Sequence, residues 1–184
     1  MSQETLARIE RAVQSLATEV ACLREAVDAI RGSGGPLSPR EIAEFLDQYR
    51  AAEALGEAAF GAWIAHCRSD CLRGGLRTAQ LREGSHARLL EARLKELGGS
   101  PRFELPESAQ EGFFGVLAST DKTDAEKLEC FFGQVQTDQV LRQLGEKADG
   151  MGRDPETQAL LRTIIDDERA TLGFLQQARE LLCS

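Results

Sequence analysis

The sequence has few aromatic residues and no long apolar run. Aromatic side chains make up 5% of its 184 residues, whereas hydrophobic residues as a whole make up 42%. Strands are rich in β-branched and aromatic residues, so this scarcity favours helices that pack through Leu, Ala and Val. No apolar stretch approaches the ~20 residues that span a membrane, and no secretory leader opens the chain. We therefore expect an all-α, cytoplasmic protein with no membrane partner.

Positive charge and paired cysteines are also scarce. The chain has 30 acidic against 22 basic residues, which gives a formal net charge of −8. No cluster of Lys and Arg forms a phosphate-binding patch, so nucleic acid is not an expected partner. The 5 cysteines are odd in number and include no Cys-x-x-Cys pair. This usage favours reduced thiols in the cytoplasm over a disulfide framework or a zinc finger.

The first 31 residues carry a regular heptad pattern. It predicts a coiled-coil helix over 1–31, followed by a glycine-rich linker over 32–37, and we expect this helix to assemble the protein into a homo-oligomer. Mostly β-branched residues at the a positions favour a parallel dimer, while alanines beside the seam leave trimers and tetramers open. The alternative is that this helix folds back onto its own chain. The seam consists of Leu6, Ile9, Val13, Leu16, Val20, Leu23, Val27 and Ile30.

Clear helix-start signals organise the remaining residues, 38–184, into one domain. Ser38 and Glu41 have the spacing of a capping box, as do Thr123 and Glu126, and Pro155 suits the first position of a further helix. These signals predict helices over about 39–68, 71–97, 124–148 and 155–182. A long crossover over 98–123 contains one short apolar stretch, 113–117. The sequence therefore predicts a four-helix bundle of two helical hairpins.

The two predicted hairpins match one another without a gap at a shift of 85 residues. Glu83 then falls on Glu168, and Leu90 falls on Leu175. Identities are few, but the helical phase and the hairpin length agree throughout. We interpret the bundle as a pseudo-repeat of one hairpin.

Three glutamates interrupt the apolar stripes of the predicted helices. Glu53, Glu83 and Glu168 each lie in the middle of a stripe, where an unpaired carboxylate is costly. Asp138 precedes Glu168 by the same interval that separates Glu53 from Glu83, so four acidic residues are expected to converge. His86 follows Glu83 by three residues and shares its face. This set predicts a site for iron, manganese or a zinc-like ion, unless arginines or hydroxyl groups satisfy the carboxylates instead.

The motif Glu83-Gly-Ser-His86 resembles the Glu-x-x-His motif of ferritin-like and rubrerythrin-like di-iron proteins. Glu53 lies where that family carries its first glutamate, and the resemblance covers about 38–184. It implies a ferritin-like bundle with a carboxylate-bridged di-iron site that reacts with O₂ or peroxide, as in oxidative stress. The second motif departs from the pattern because Thr171 replaces its histidine. Asp138 also stands where the family usually has a glutamate.

Two functions follow from this sequence. One is a ferritin-like protein that binds iron or manganese through Glu53, Glu83, His86, Asp138 and Glu168 and handles O₂, peroxide or iron. The other is a metal-free oligomeric scaffold or adaptor with a decayed site; a lipid- or cofactor-binding bundle is a weaker third reading that requires a cavity. Glu57 and Glu129 compete as ligands, although both are expected to be solvated. No residue is assigned a catalytic role, and enzymatic turnover is left open.

Overall fold

The computed structural model describes residues 36–134 and 137–182, without the side chains of 108–111, 113 and 134. The predicted coiled coil over 1–31 and most of the linker lie outside these residues. The described chain contains six α-helices and no strand, which confirms the all-α fold class. In chain order the helices are α1 (Pro39–His66), α2 (Asp70–Glu96), α3 (Glu107–Ala118), α4 (Asp124–Gln134), α5 (Thr137–Gly150) and α6 (Pro155–Leu182).

Local signals fix where the helices begin. The Ser38 hydroxyl accepts a hydrogen bond from the Glu41 N–H at 3.3 Å, and the Glu41 carboxylate accepts one from the Ser38 N–H at 2.8 Å. Thr123 and Glu126 form the same reciprocal pair at the start of α4. Both predicted capping boxes are therefore confirmed. At the end of α2, Gly98 has a positive φ of 78°, a conformation that glycine adopts without steric cost.

One predicted segment, the crossover over 98–123, differs from the structure. The crossover was expected to hold one short apolar stretch, but it contains a 12-residue helix, α3, whose Leu117 is buried. The helix predicted over 124–148 is helical throughout the residues that the structure describes there, Asp124–Gln134 and Thr137–Gly150. The amphipathic pattern therefore predicted this helical region correctly.

The helices pack as a bundle in which α6 is the shared partner. α1 packs along α2, and α6 packs against α2, α4 and α5. The crossover helix α3 packs on α1 and on α4. None of the described helices combines the length and the apolar character needed to cross a membrane.

The interior is divided into two apolar clusters along the bundle axis. The cluster near the α1–α2 loop contains Ala59, Phe60, Trp63, Cys67, Leu72, Leu76, Ala79, Leu117, Leu128, Phe131, Leu175 and Ala178. The cluster at the opposite end contains Leu37, Ile42, Leu46, Leu90, Leu94, Ala148, Met151, Leu161, Ile164 and Ile165. Between these two clusters lie Glu53 in α1, Glu83 and His86 in α2, and Glu168 in α6. We call these four residues the polar layer; an apolar cluster lies on each side of it.

Candidate metal site

The polar layer brings together four of the five predicted ligands. Glu53 on α1 is 4% exposed, and on α2 Glu83 is 9% and His86 is 2% exposed. The Glu168 side chain on α6 is 17% exposed. These positions follow from the apolar stripes, because each residue lies in phase with the buried leucines and isoleucines of its own helix. Glu53 and Glu83 are therefore buried as predicted, whereas Glu168 is partly exposed.

His86 is the centre of the group. Its Nδ1 atom lies 3.1 Å from Glu53 Oε2 and 3.4 Å from Glu168 Oε1. Its Nε2 atom lies 3.2 Å from Asp167 Oδ2. One ring nitrogen therefore faces two buried carboxylates, and the other faces a carboxylate at the edge of the bundle.

Three side chains from three helices have the spacing of a metal-binding group. One donor atom each from Glu53, His86 and Glu168 lie within 4.8 Å of one another. Two carboxylate oxygens and an imidazole nitrogen form a donor set that suits iron, manganese or zinc. Asp167 supplies the further contact, because metal-binding histidines usually donate their second N–H to a carboxylate that fixes the ring. The arrangement is able to hold one cation.

Glu83 lies beside this group and against α1. A Cβ at Gly56 would overlap the Glu83 carboxylate, so glycine at this position gives the carboxylate its room. Burial, followed by the charges of Glu53 and Glu168, raises the pKa of Glu83 well above its usual value. Burial also raises the pKa of Glu53, although its contact with His86 opposes the shift. The carboxylates of Glu53, Glu83 and Glu168 thus outnumber the one cationic side chain among them, His86.

His86 supplies positive charge to this layer. Burial disfavours the imidazolium, but the carboxylates of Glu168, Glu53 and Asp167 favour it more strongly and raise the pKa of His86 from 6.5 to about 10. The ring is therefore protonated near neutral pH when no cation competes for its nitrogen.

One buried carboxylate oxygen of the layer, Oε1 of Glu168, has no well-aligned hydrogen bond among the described residues. The Glu168 atom approaches His86 without the alignment of a hydrogen bond. An unsatisfied buried polar atom is costly unless something else binds it, and a cation would satisfy the carboxylate oxygen.

The other acidic candidates lie outside the group. Asp138, in the first turn of α5, is exposed rather than directed into the layer, which differs from the predicted convergence. Glu57 is 41% exposed and lies 3.8 Å from Arg88. Glu129 is 49% exposed and pairs with Arg179 at 2.7 Å. We find no place for these three in the metal-binding group.

The position of the missing second histidine has a different partner. Thr171 is 3% exposed, and its hydroxyl accepts a hydrogen bond from Arg82 Nη1 at 3.1 Å. Arg82 Nε also lies 3.6 Å from Asp167 Oδ1. Sequence reasoning did not select Asp167; its only signal was its place in the acidic run 166–168, on the flank of the α6 stripe.

The one cavity that we describe lies away from this site. Its volume is about 500 Å³, and it lies between the first turns of α1 and the loop after α2. Asp47 lines it, but both of its oxygens already accept hydrogen bonds, from Arg50 and from the N–H groups of Arg102 and Phe103. This cavity therefore gives no support to a cofactor site between the glutamates.

Compared with family models, curated proteins and solved structures, the chain matches none of them. The resemblance to ferritin-like proteins therefore stays a prediction that depends on the motif and the geometry described above.

Proposed function

We propose that this protein is a ferritin-like bundle that binds one divalent transition-metal ion through Glu53, His86 and Glu168. The observation that carries the proposal is the convergence of these three donors from three helices within 4.8 Å. Bound iron or manganese would supply redox chemistry with O₂ or peroxide, which a carboxylate and imidazole shell supports. Free thiols at Cys67, Cys71 and Cys130 are compatible with a cytoplasmic location.

The residues present fit one cation. Oε1 of Glu168 is an available ligand atom at the centre of the group, 3.4 Å from Nδ1 of His86 and without a well-aligned hydrogen bond. With a cation bound, Asp167 would accept the Nε2 proton of His86, and the Nδ1 lone pair would face the cation between Glu53 and Glu168. Glu83 adds a fourth carboxylate at the same level, and the two apolar clusters exclude bulk water from both sides. These features favour a small, dry site.

The same residues do not fit the dinuclear centre that the family resemblance implies. Thr171 stands at the second histidine position, and its oxygen is already bonded to Arg82. Asp138, the counterpart of Glu53, is exposed. We therefore propose one cation rather than two.

One observation favours the alternative, a metal-free scaffold. At neutral pH the protonated His86 is itself a cation in contact with Glu53, Glu168 and Asp167, and its pKa is raised to about 10. A buried ion-pair layer of this kind specifies helix register without any metal. In this alternative the coiled coil predicted over 1–31 is the functional element, and assembly depends on Val13, Val20 and Leu23.

Metal content distinguishes the two. Tag-free protein expressed with iron and manganese available is analysed by mass spectrometry, together with Glu168→Gln and the matched control Asp138→Asn. About one ion per chain is expected in the unsubstituted protein and in Asp138→Asn, with loss in Glu168→Gln because a carboxamide is a poorer ligand. Folded, oligomeric and metal-free protein would exclude the metal site and favour the scaffold.

A further inference from the structure

Asp167 on α6 contacts two residues of α2, His86 and Arg82. Its Oδ2 atom lies 3.2 Å from Nε2 of His86, and its Oδ1 atom lies 3.6 Å from Nε of Arg82. Arg82 in turn donates a hydrogen bond to the hydroxyl of Thr171 at 3.1 Å. The contacts therefore form a chain from His86 through Asp167 and Arg82 to Thr171.

This chain of contacts follows the repeat seen in the sequence. The shift of 85 residues carries His86 onto Thr171 and Arg82 onto Asp167. The contact between His86 and Asp167 thus corresponds to the contact between Thr171 and Arg82 with the two helices exchanged. Each half of the repeat has the same pairing geometry but different side chains.

The chemical difference between the halves is large. On one side a neutral imidazole can offer a lone pair to a cation while a carboxylate fixes its ring. On the other side the hydroxyl is a weak ligand, and the guanidinium is a permanent cation with donors only. A metal ion beside Arg82 would meet a like charge and no imidazole.

We infer that the Arg82 guanidinium takes the place of a second cation and limits the layer to one metal ion. This inference rests on the proposed function, because it assigns the unused half of the same site. Arg82 is thus a residue that determines how many metal ions the layer binds. Its guanidinium places a permanent positive charge beside Asp167 and Thr171, and this charge prevents a second cation from binding there.

The test restores the missing side chains in the full-length chain. Arg82→Asp together with Thr171→His gives the second half the imidazole and the carboxylate that His86 and Asp167 supply in the first, beside Glu83. Arg82→Gln with Thr171→His removes the charge but keeps a polar side chain with N–H donors, which is a milder change than Arg82→Asp. Thr171→His alone keeps the guanidinium. Arg77→Asp with Thr163→His, both at exposed positions on the same two helices, is the matched control.

The measurement is the number of Co²⁺ ions bound per chain, by native mass spectrometry of metal-depleted protein titrated with Co²⁺, with helicity checked by circular dichroism. One or both double variants with Arg82 removed should bind about one ion more than the unsubstituted protein. Thr171→His alone and the exposed control should bind no extra ion. An equal number in every variant, or an extra ion in Thr171→His alone, would overturn the inference. The number of Co²⁺ ions that a variant binds beyond the unsubstituted protein tests this inference. The number of Co²⁺ ions that the unsubstituted protein binds tests the proposed function.

Discussion

The carboxylate of Glu83 lies against Gly56 on the facing helix, in space that any Cβ would occupy. This close approach admits a fourth carboxylate to the layer that contains His86. We therefore expect Gly56→Ala to displace Glu83, to destabilise the protein by about 1–3 kcal/mol and to weaken metal binding. Urea unfolding and Co²⁺ titration measure the two effects.

Gly74→Ala is the matched control for this substitution. Gly74 also lies inside a helix, α2, and a Cβ there meets nothing within 4 Å. Alanine should stabilise it by about 0.5–1 kcal/mol, because glycine loses more conformational entropy on folding. If both substitutions stabilise the protein, Glu83 does not depend on the space at Gly56.

Asp167 should control metal affinity without being a ligand. Asp167→Asn removes the carboxylate that accepts from Nε2 of His86 but keeps the shape of the side chain. Affinity for Co²⁺ should fall by about 10–100-fold, as is typical when a second-layer carboxylate is lost. Asp166→Asn, at the exposed neighbouring position, should leave affinity unchanged. Equal losses in the two variants would indicate a general charge effect instead.

The positions that sequence predicted best are those determined by one helix. The capping boxes of Ser38 and Thr123 depend on residues three positions away, so both were found. Glu83 was placed in the interior because its own helix supplies the apolar phase.

The positions that sequence missed depend on relations between helices. Asp138 was placed by its interval to Glu168, which equals the interval from Glu53 to Glu83, but its side chain is exposed in the structure. Asp167 lies beside the α6 stripe, and only the approach of His86 from α2 distinguishes it from a solvated residue. The periodicity within one helix reveals neither the exposure of Asp138 nor the contact between Asp167 and His86.

Metal-free protein should lose stability as the pH rises from 6.5 to 10. In the folded protein the pKa of His86 is raised to about 10, against 6.5 for an ordinary histidine side chain. Its contribution is therefore fully present below pH 6.5 and is lost as the pH rises through the folded value. The raised pKa values of Glu53 and Glu83 act in the same direction. Chemical unfolding across this range measures the loss, and His66→Gln, at an exposed position, should not alter it.

The metal-loaded protein should respond in the opposite direction. A cation and a proton compete for Nδ1 of His86, so affinity should rise by about tenfold per pH unit below pH 10 when one proton is displaced. The stabilisation by Co²⁺ should therefore increase over the range in which the metal-free protein weakens. Co²⁺ stabilisation that is unchanged across this range would show that His86 is not a ligand.

Lys127 is a buried charged residue beside the apolar cluster that contains Trp63 and Leu128. Its side chain is fully buried, its Nζ lies 5.9 Å from the centre of the Trp63 ring, and it has no hydrogen-bond partner among the described residues. Burial lowers the pKa of Lys127, although the nearby Asp124 carboxylate opposes the shift. The group is therefore costly to keep charged at neutral pH.

We expect Lys127→Met to stabilise the protein by about 1–3 kcal/mol at pH 7, because the thioether fills similar space without an unsatisfied polar group. Asp124 keeps its other partners in this variant, since it accepts from Trp63 Nε1 at 2.9 Å and from the Arg68 N–H at 2.9 Å. Stability is measured by urea unfolding, with Lys122→Met, at the partly exposed residue just before the helix, as the control. The gain should shrink as the pH rises toward 10.5, where the unfolded lysine also loses its proton. Destabilisation of similar size would instead show that the contact of Lys127 with Trp63 and Asp124 outweighs its burial.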